Sequence, residues 1–232
     1  MPKPITHWSY SGLTTFENCA WKYYQVKVLK NWDDSNRWNM QGDDEHSSIE
    51  RYMKMGAGLS PALDGIKPIL QMIREAPGHN LVELKMTLDQ QLQPCRGNDW
   101  NNAWVRANAD FMKRNDPLMT YFDWKSGKPR DSEDQIELTS LLIFQHFPTI
   151  EEVRGTLFYY RHNKMEPHVV VRGDSPRLWN GYYSRVKDLE NAILNNDWPM
   201  NPNPLCGWCP VMNCPNNKVA ERIAREKARG VA

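Results

Sequence analysis

Asp123 and Lys125 stand two residues apart, after the apolar run Leu118-Met119-Thr120-Tyr121-Phe122. In an extended strand, residues i and i+2 share a face. Both side chains would then enter one cleft, with Trp124 on the opposite face, and Ser126-Gly127 would turn the chain out of the sheet. A carboxylate that can hold a cation, beside an ammonium that can orient water or neutralise developing negative charge, is the equipment of metal-assisted phosphodiester cleavage. Taken alone, the same pair reads better as an exposed ion pair of little consequence. Company elsewhere in the chain decides between the two.

Three other groups supply it. Asp110 closes the run Ala103–Phe111; a carboxylate there is costly unless it is solvated, forms a turn or coordinates a cation. His46 shares a helical stripe with Gly42, Ile49 and Met53. Gln135 falls in the first turn of the helix after the Asp123 strand. Two carboxylates and an imidazole suit Mg²⁺ or Mn²⁺, with His46, Asp110 and Asp123 as ligands and Lys125 in catalysis. Glu83 is a further acid, read here as a surface strand glutamate.

The chain has five cysteines. Cys206, Cys209 and Cys214 cluster late, Cys19 is early, and Cys95 is left over as a free thiol. An odd count and the absence of a secretory h-region after Met1-Pro2-Lys3-Pro4 favour a metal or cluster site over a disulfide framework. With no apolar stretch long enough to span a bilayer, the expectation is a cytoplasmic protein without membrane partners. The net charge of +1 gives no global basic signature, so nucleic acid would be met through local patches. The ten tryptophans suit core filling or base stacking.

The positioning elements follow from periodicity. A short helix capped at Ser11 carries Cys19, a second runs from about Met40 to Met55, and a third from Pro61 to about Arg74. Strands are expected over 81–88, 103–111 and 118–125. A helix opening on Asp131-Ser132-Glu133-Asp134 follows, then strands over 151–161 and 167–172, a helix over 175–195, a proline-rich loop and a basic helix over 218–229. This alternation indicates an α/β fold with one mixed sheet flanked by helices. The expected layout is a single domain: a helical part over 1–75, a core over 80–172 and a C-terminal helix with a cysteine lobe over 173–232.

These pieces, in order, resemble the RecB-type branch of the PD-(D/E)XK nucleases, specifically its iron–sulfur members, the CRISPR-associated RecB-like exonucleases and AddB nuclease domains. Ser9-Tyr10-Ser11-Gly12-Leu13 with Cys19, Gly42 with His46, Asp110, Asp123-Trp124-Lys125-Ser126-Gly127, Gln135, and Cys206, Cys209 and Cys214 match the family pattern. Thr139 stands where the family's Gln-x-x-x-Tyr helix has its tyrosine. The resemblance implies a restriction-endonuclease-like core and a Mg²⁺- or Mn²⁺-dependent exonuclease on single-stranded DNA ends. It implies a 4Fe-4S cluster on Cys19, Cys206, Cys209 and Cys214, joining the N- and C-terminal segments; four thiolates also suit zinc. Recombination, phage DNA processing or CRISPR adaptation would be the setting, with a helicase, recombinase or integrase as partner. The alternatives are a catalytically silent DNA-binding subunit and an iron–sulfur redox protein.

Overall fold

The computed structural model describes residues 7–31, 37–95, 102–129 and 133–228. Met1–Pro4, Trp32, Arg96, Gly97 and Asn98, and Asp131 and Ser132 of the expected acidic helix start lie outside the described residues. In chain order the elements are β1 (Trp8–Ser9), α1 (Tyr10–Asn18), α2 (Ala20–Tyr23) with a π-helical turn Tyr24–Val28, α3 (Arg37–Met55), α4 (Lys67–Glu75) and β2 (His79–Leu88). There follow β3 (Val105–Asn115), β4 (Leu118–Lys125), α5 (Glu133–His146), β5 (Glu152–Tyr159), β6 (Lys164–Val171), α6 (Ser175–Asn195) and α7 (Val219–Ala228). No helix among the described residues is long and apolar enough to cross a membrane.

The chain forms two compact units. The larger draws its described residues from 7–10 and 38–182, the smaller from 11–37 and 183–228.

The larger unit is an α/β fold around one mixed sheet. β3 pairs antiparallel with β2 and β4, β4 pairs parallel with β5, and β5 antiparallel with β6. β1, which periodicity does not reveal, is a two-residue parallel partner of β3 at Val105 and Arg106. One sheet face carries Phe111, Trp124 and Phe158, buried with Ile49, Tyr52 and Met53 of α3 and Leu70 and Ile73 of α4. The apolar stripes of those two helices are therefore what closes that side of the core. On the other face α5 approaches so closely that a Cβ on Gly155 would lie 2.1 Å from Ile136 Cγ2. Only glycine permits that approach.

Three sequence expectations need correction. The 61–74 helix is divided, a 3₁₀ segment over Pro61–Ile66 preceding α4. The last strand begins at Lys164, before the apolar valines, because Lys164, Met165 and Glu166 pair with β5. And β3 does not stop at Phe111. It continues because Lys113, polar in sequence, is buried with its ammonium donating to Arg74 O at 2.9 Å and to Ala76 O, which closes the C-terminal end of α4.

Arg172 performs the same service for α5. Its guanidinium donates to Phe144 O at 3.1 Å, Phe147 O at 3.0 Å and Ile150 O at 2.9 Å. Arg172→Met is expected to lower unfolding stability by about 2 kcal/mol, because three partly buried carbonyls lose a charged donor. Urea denaturation measures it.

Candidate active site

The site is organised by an interruption of the sheet at Asp110. On one side the β2–β3 ladder pairs Val82 with Phe111 and Leu84 with Ala109, skipping Glu83 and Asp110. On the other side the β3–β4 ladder ends at Phe111 and Phe122. The strands part there, and the Asp110 carboxylate fills the gap, Oδ2 accepting the Trp124 N–H at 2.8 Å. Asp110 thus lies inside an eleven-residue strand rather than at its end.

His46, on α3, places Nε2 3.0 Å from Asp110 Oδ2. Its neighbour Glu45 is buried and ion-paired with Arg161 at 2.8 Å, which fixes the helix turn that presents the imidazole. Asp123 and Lys125 project to one face as i, i+2 spacing requires, while Trp124 enters the apolar core on the other. The Lys125 ammonium lies against Asp123 Oδ2 and donates to Gln135 Oε1 at 2.9 Å. Gln135 Nε2 in turn donates to Asp123 Oδ1 at 3.0 Å. The first turn of α5 therefore locks the acid and the amine together. Thr139 turns its hydroxyl back to Gln135 O at 2.9 Å.

Two residues escaped sequence reasoning. Glu83, read as a surface glutamate, has a buried Oε1 without a hydrogen-bond partner, 3.9 Å from His46 Nδ1. The signal was its register opposite Asp110, which only the strand pairing reveals. Tyr121 is fully buried, with its hydroxyl beside Asp123 and Thr139; burial, then the charges of Asp123 and Asp110, hold the phenol protonated. Its place two residues before Asp123 was visible in the sequence but indistinguishable from a core tyrosine.

The electrostatics fit a cation site. Burial, then the charge of Asp123, push the Asp110 carboxyl up. The hydrogen bond to Asp110 raises His46 from 6.5 to about 9 against its own burial, with the charges of Asp110, Glu83 and Asp123 adding to the rise. Ligand atoms of His46, Glu83 and Asp110 lie within 4.8 Å of one another. One imidazole and two carboxylates, one oxygen of them left unpaired, suit a hard divalent ion such as Mg²⁺ or Mn²⁺.

His46 has a folded-state value above its unfolded one, so its stabilisation is complete below pH 6.5 and is lost as pH rises through about 9. The urea midpoint of metal-free protein is therefore expected to fall over that window, and to fall less in His46→Gln.

The smaller unit holds the cysteines. Cys19 was expected within the first helix; it sits instead at the break between α1 and α2, in extended backbone (φ −168°, ψ 107°), its sulfur accepting the Lys22 N–H at 3.5 Å. That break exposes the sulfur as an N-cap. The loop before Cys206 is tied to the same break, since Asn201 and Asn203 donate to Asn18 O at 3.0 and 3.1 Å. Cys206 Sγ accepts the Asn203 N–H at 3.4 Å. Cys19, Cys206, Cys209 and Cys214 all line one cavity of about 30 Å³. Burial pushes the Cys209 thiol up. Among the described residues no three of these sulfurs lie within 4.8 Å of one another. Cys95 belongs to the other unit.

A sequence model of the PD-(D/E)XK nuclease superfamily matches residues 7–214. No curated protein sequence matches the chain. Among solved structures, a protein of Eubacterium rectale provisionally designated an exonuclease is similar with a TM-score of 0.51 and 11% identity, over 90% of this chain and 89% of its own. The protein SSO0001 is similar with a TM-score of 0.46 and 12% identity, over 94% of this chain and 89% of its own.

Proposed function

The chain belongs to the PD-(D/E)XK nuclease superfamily, and from that premise we propose that it is a Mg²⁺- or Mn²⁺-dependent deoxyribonuclease acting as an exonuclease on single-stranded DNA ends. The observation that carries the reading is the meeting of two clusters where β3 and β4 part. His46 and Asp110 stand on one side of the parted strands, and Asp123, Lys125 and Gln135 are locked together on the other.

In this reading His46, Asp110 and Asp123 hold the cation. Such an ion, when bound, supplies charge neutralisation at the phosphate and a more acidic water. The chain's own groups do the rest. Lys125 offers its ammonium to the attacking water or to the charge that builds on the phosphate. Gln135 holds Lys125 and Asp123 at fixed separation, so little reorganisation is needed when DNA arrives. Tyr121, kept neutral by burial, holds the base of the cleft beside Asp123. The intact acid and amine set argues against a catalytically silent DNA-binding subunit.

The four cysteines are read as ligands of a 4Fe-4S cluster with a structural role. Two backbone N–H groups already face sulfur, as thiolates require. Four thiolates suit a single tetrahedral zinc as well, which is the alternative occupant.

The test is a time course on 5′- and 3′-end-labelled single- and double-stranded DNA with Mg²⁺ or Mn²⁺. Progressive loss from one labelled end of the single strand is expected. Absence of cleavage of every DNA form by cluster-loaded protein would leave the silent-subunit reading.

A further inference from the structure

The 3₁₀ turn Tyr160–His162 leaves the sheet beside the candidate site. β5 ends at Tyr159, which pairs with Lys125 at the end of the parallel strand β4. Both strands therefore turn out at one rim, β4 through Ser126 and Gly127, β5 through Tyr160 and Arg161. The carboxyl ends of parallel strands are where open α/β sheets present their ligand-binding turns.

The rim is built around Arg161. Its Nε and Nη2 both meet Glu45 Oε2, at 2.9 and 2.8 Å. Glu45 is buried and precedes His46 on α3, so the guanidinium is anchored to the turn that presents the imidazole. The Tyr160 hydroxyl is buried beside Glu45 and Ser126, which gathers both turns around the same carboxylate. A brace between a helix and a turn needs no more than this. Yet both bonds fall on one oxygen, 34% of the Arg161 side chain is exposed, and Nη1 has no acceptor among the described residues. A planar guanidinium held by one edge, with donors left on another, is preorganised for a phosphate. Exposed Lys128, His162 and Lys164 flank the two turns, and Glu166, the nearest acid along β6, is paired with Lys164 at 2.8 Å. In a chain of net charge +1 this makes a local basic rim.

We infer that Arg161 contacts a backbone phosphate of the bound DNA strand beside the scissile one, with Glu45 holding the guanidinium and the turn after β5 forming one wall of the DNA path. The inference rests on the nuclease reading for its substrate, and adds a contact outside the cation site.

The test is binding of a fluorescent single-stranded oligonucleotide in EDTA, which withholds the cation and so prevents cleavage, followed by anisotropy over a series of NaCl concentrations. Arg161→Met keeps the aliphatic stem and removes the donors. Because it also leaves Glu45 buried without its partner, the double variant Arg161→Met with Glu45→Gln is measured beside it. In both, affinity is expected to fall by about tenfold. The slope of log affinity against log salt should become shallower by about 0.7, the value for one phosphate on a single strand. Arg154→Met removes one charge near the opposite end of β5, where 60% of the side chain is exposed, and should keep wild-type affinity and slope. An unchanged salt slope in the double variant, whatever its stability, makes Arg161 a brace alone and overturns the inference. An equal loss in Arg154→Met overturns it too, since net charge would then explain the effect. Wild type that binds and cleaves single-stranded DNA beside variants that match it overturns this inference alone. Wild type that does neither takes the nuclease reading down as well.

Discussion

Lys125→Met is expected to lower single-turnover DNA cleavage by about 10²–10³-fold while DNA binding changes by only a few-fold. The aliphatic stem is retained, so packing along β4 survives. What disappears is the one ammonium bound to both Asp123 and Gln135. If Lys125 acts only where charge develops, the loss falls on the chemical step and not on the ground-state complex. Asp123→Ala should be at least as damaging, because it removes the anchor of both Lys125 and Gln135. Gln135→Ala should be milder, since the ion pair remains. Cleavage by Lys125→Met within a few-fold of wild type would show that the ammonium is a structural partner of Asp123 and nothing more.

The second large effect concerns the smaller unit. If the four cysteines hold the proposed cluster, Cys209→Ala is expected to abolish its brown absorbance and to destabilise that unit by several kcal/mol, because ligation of a metal group is itself folding energy. Cys19 is separated from Cys206 along the chain by most of its length, so a bond through a shared group closes a very long loop. Cys19→Ala should therefore match Cys209→Ala, and Cys95→Ala should match wild type. Absorbance spectra and limited proteolysis of the three variants measure this. Equal colour and equal protease resistance in Cys209→Ala and wild type would remove the cluster from the account.

Much of the larger unit was legible because its periods are clean. Asp123, Trp124 and Lys125 alternate as strand residues must, and the prediction that Trp124 faces away follows from that period alone. α6 was found at its observed bounds from its apolar stripe. Asp110 was found but misplaced, since Lys113 and Arg114 look like the polar exit of a strand. The carbonyls that accept the buried Lys113 ammonium belong to α4 and the turn after it, nearly forty residues upstream, and local pattern cannot see them. Glu83 was dismissed for a related reason. A single glutamate on a strand reads as solvated, and neither its left-handed backbone nor its register opposite Asp110 is written in β2 alone. Cys19 was expected inside the first helix and lies at a helix break instead, because that break depends on contacts with the loop before Cys206.

The central claim is that one divalent cation binds between His46 and Asp110 beside the Asp123–Lys125 pair. Titration of Mn²⁺ into metal-free protein, read by electron paramagnetic resonance, tests it most directly when wild type is set against Asp110→Asn of unchanged fold by circular dichroism. The account predicts bound Mn²⁺ in wild type and affinity lowered by about tenfold or more in the variant. Equal affinity in the two proteins, or no Mn²⁺ bound by wild type, would contradict it.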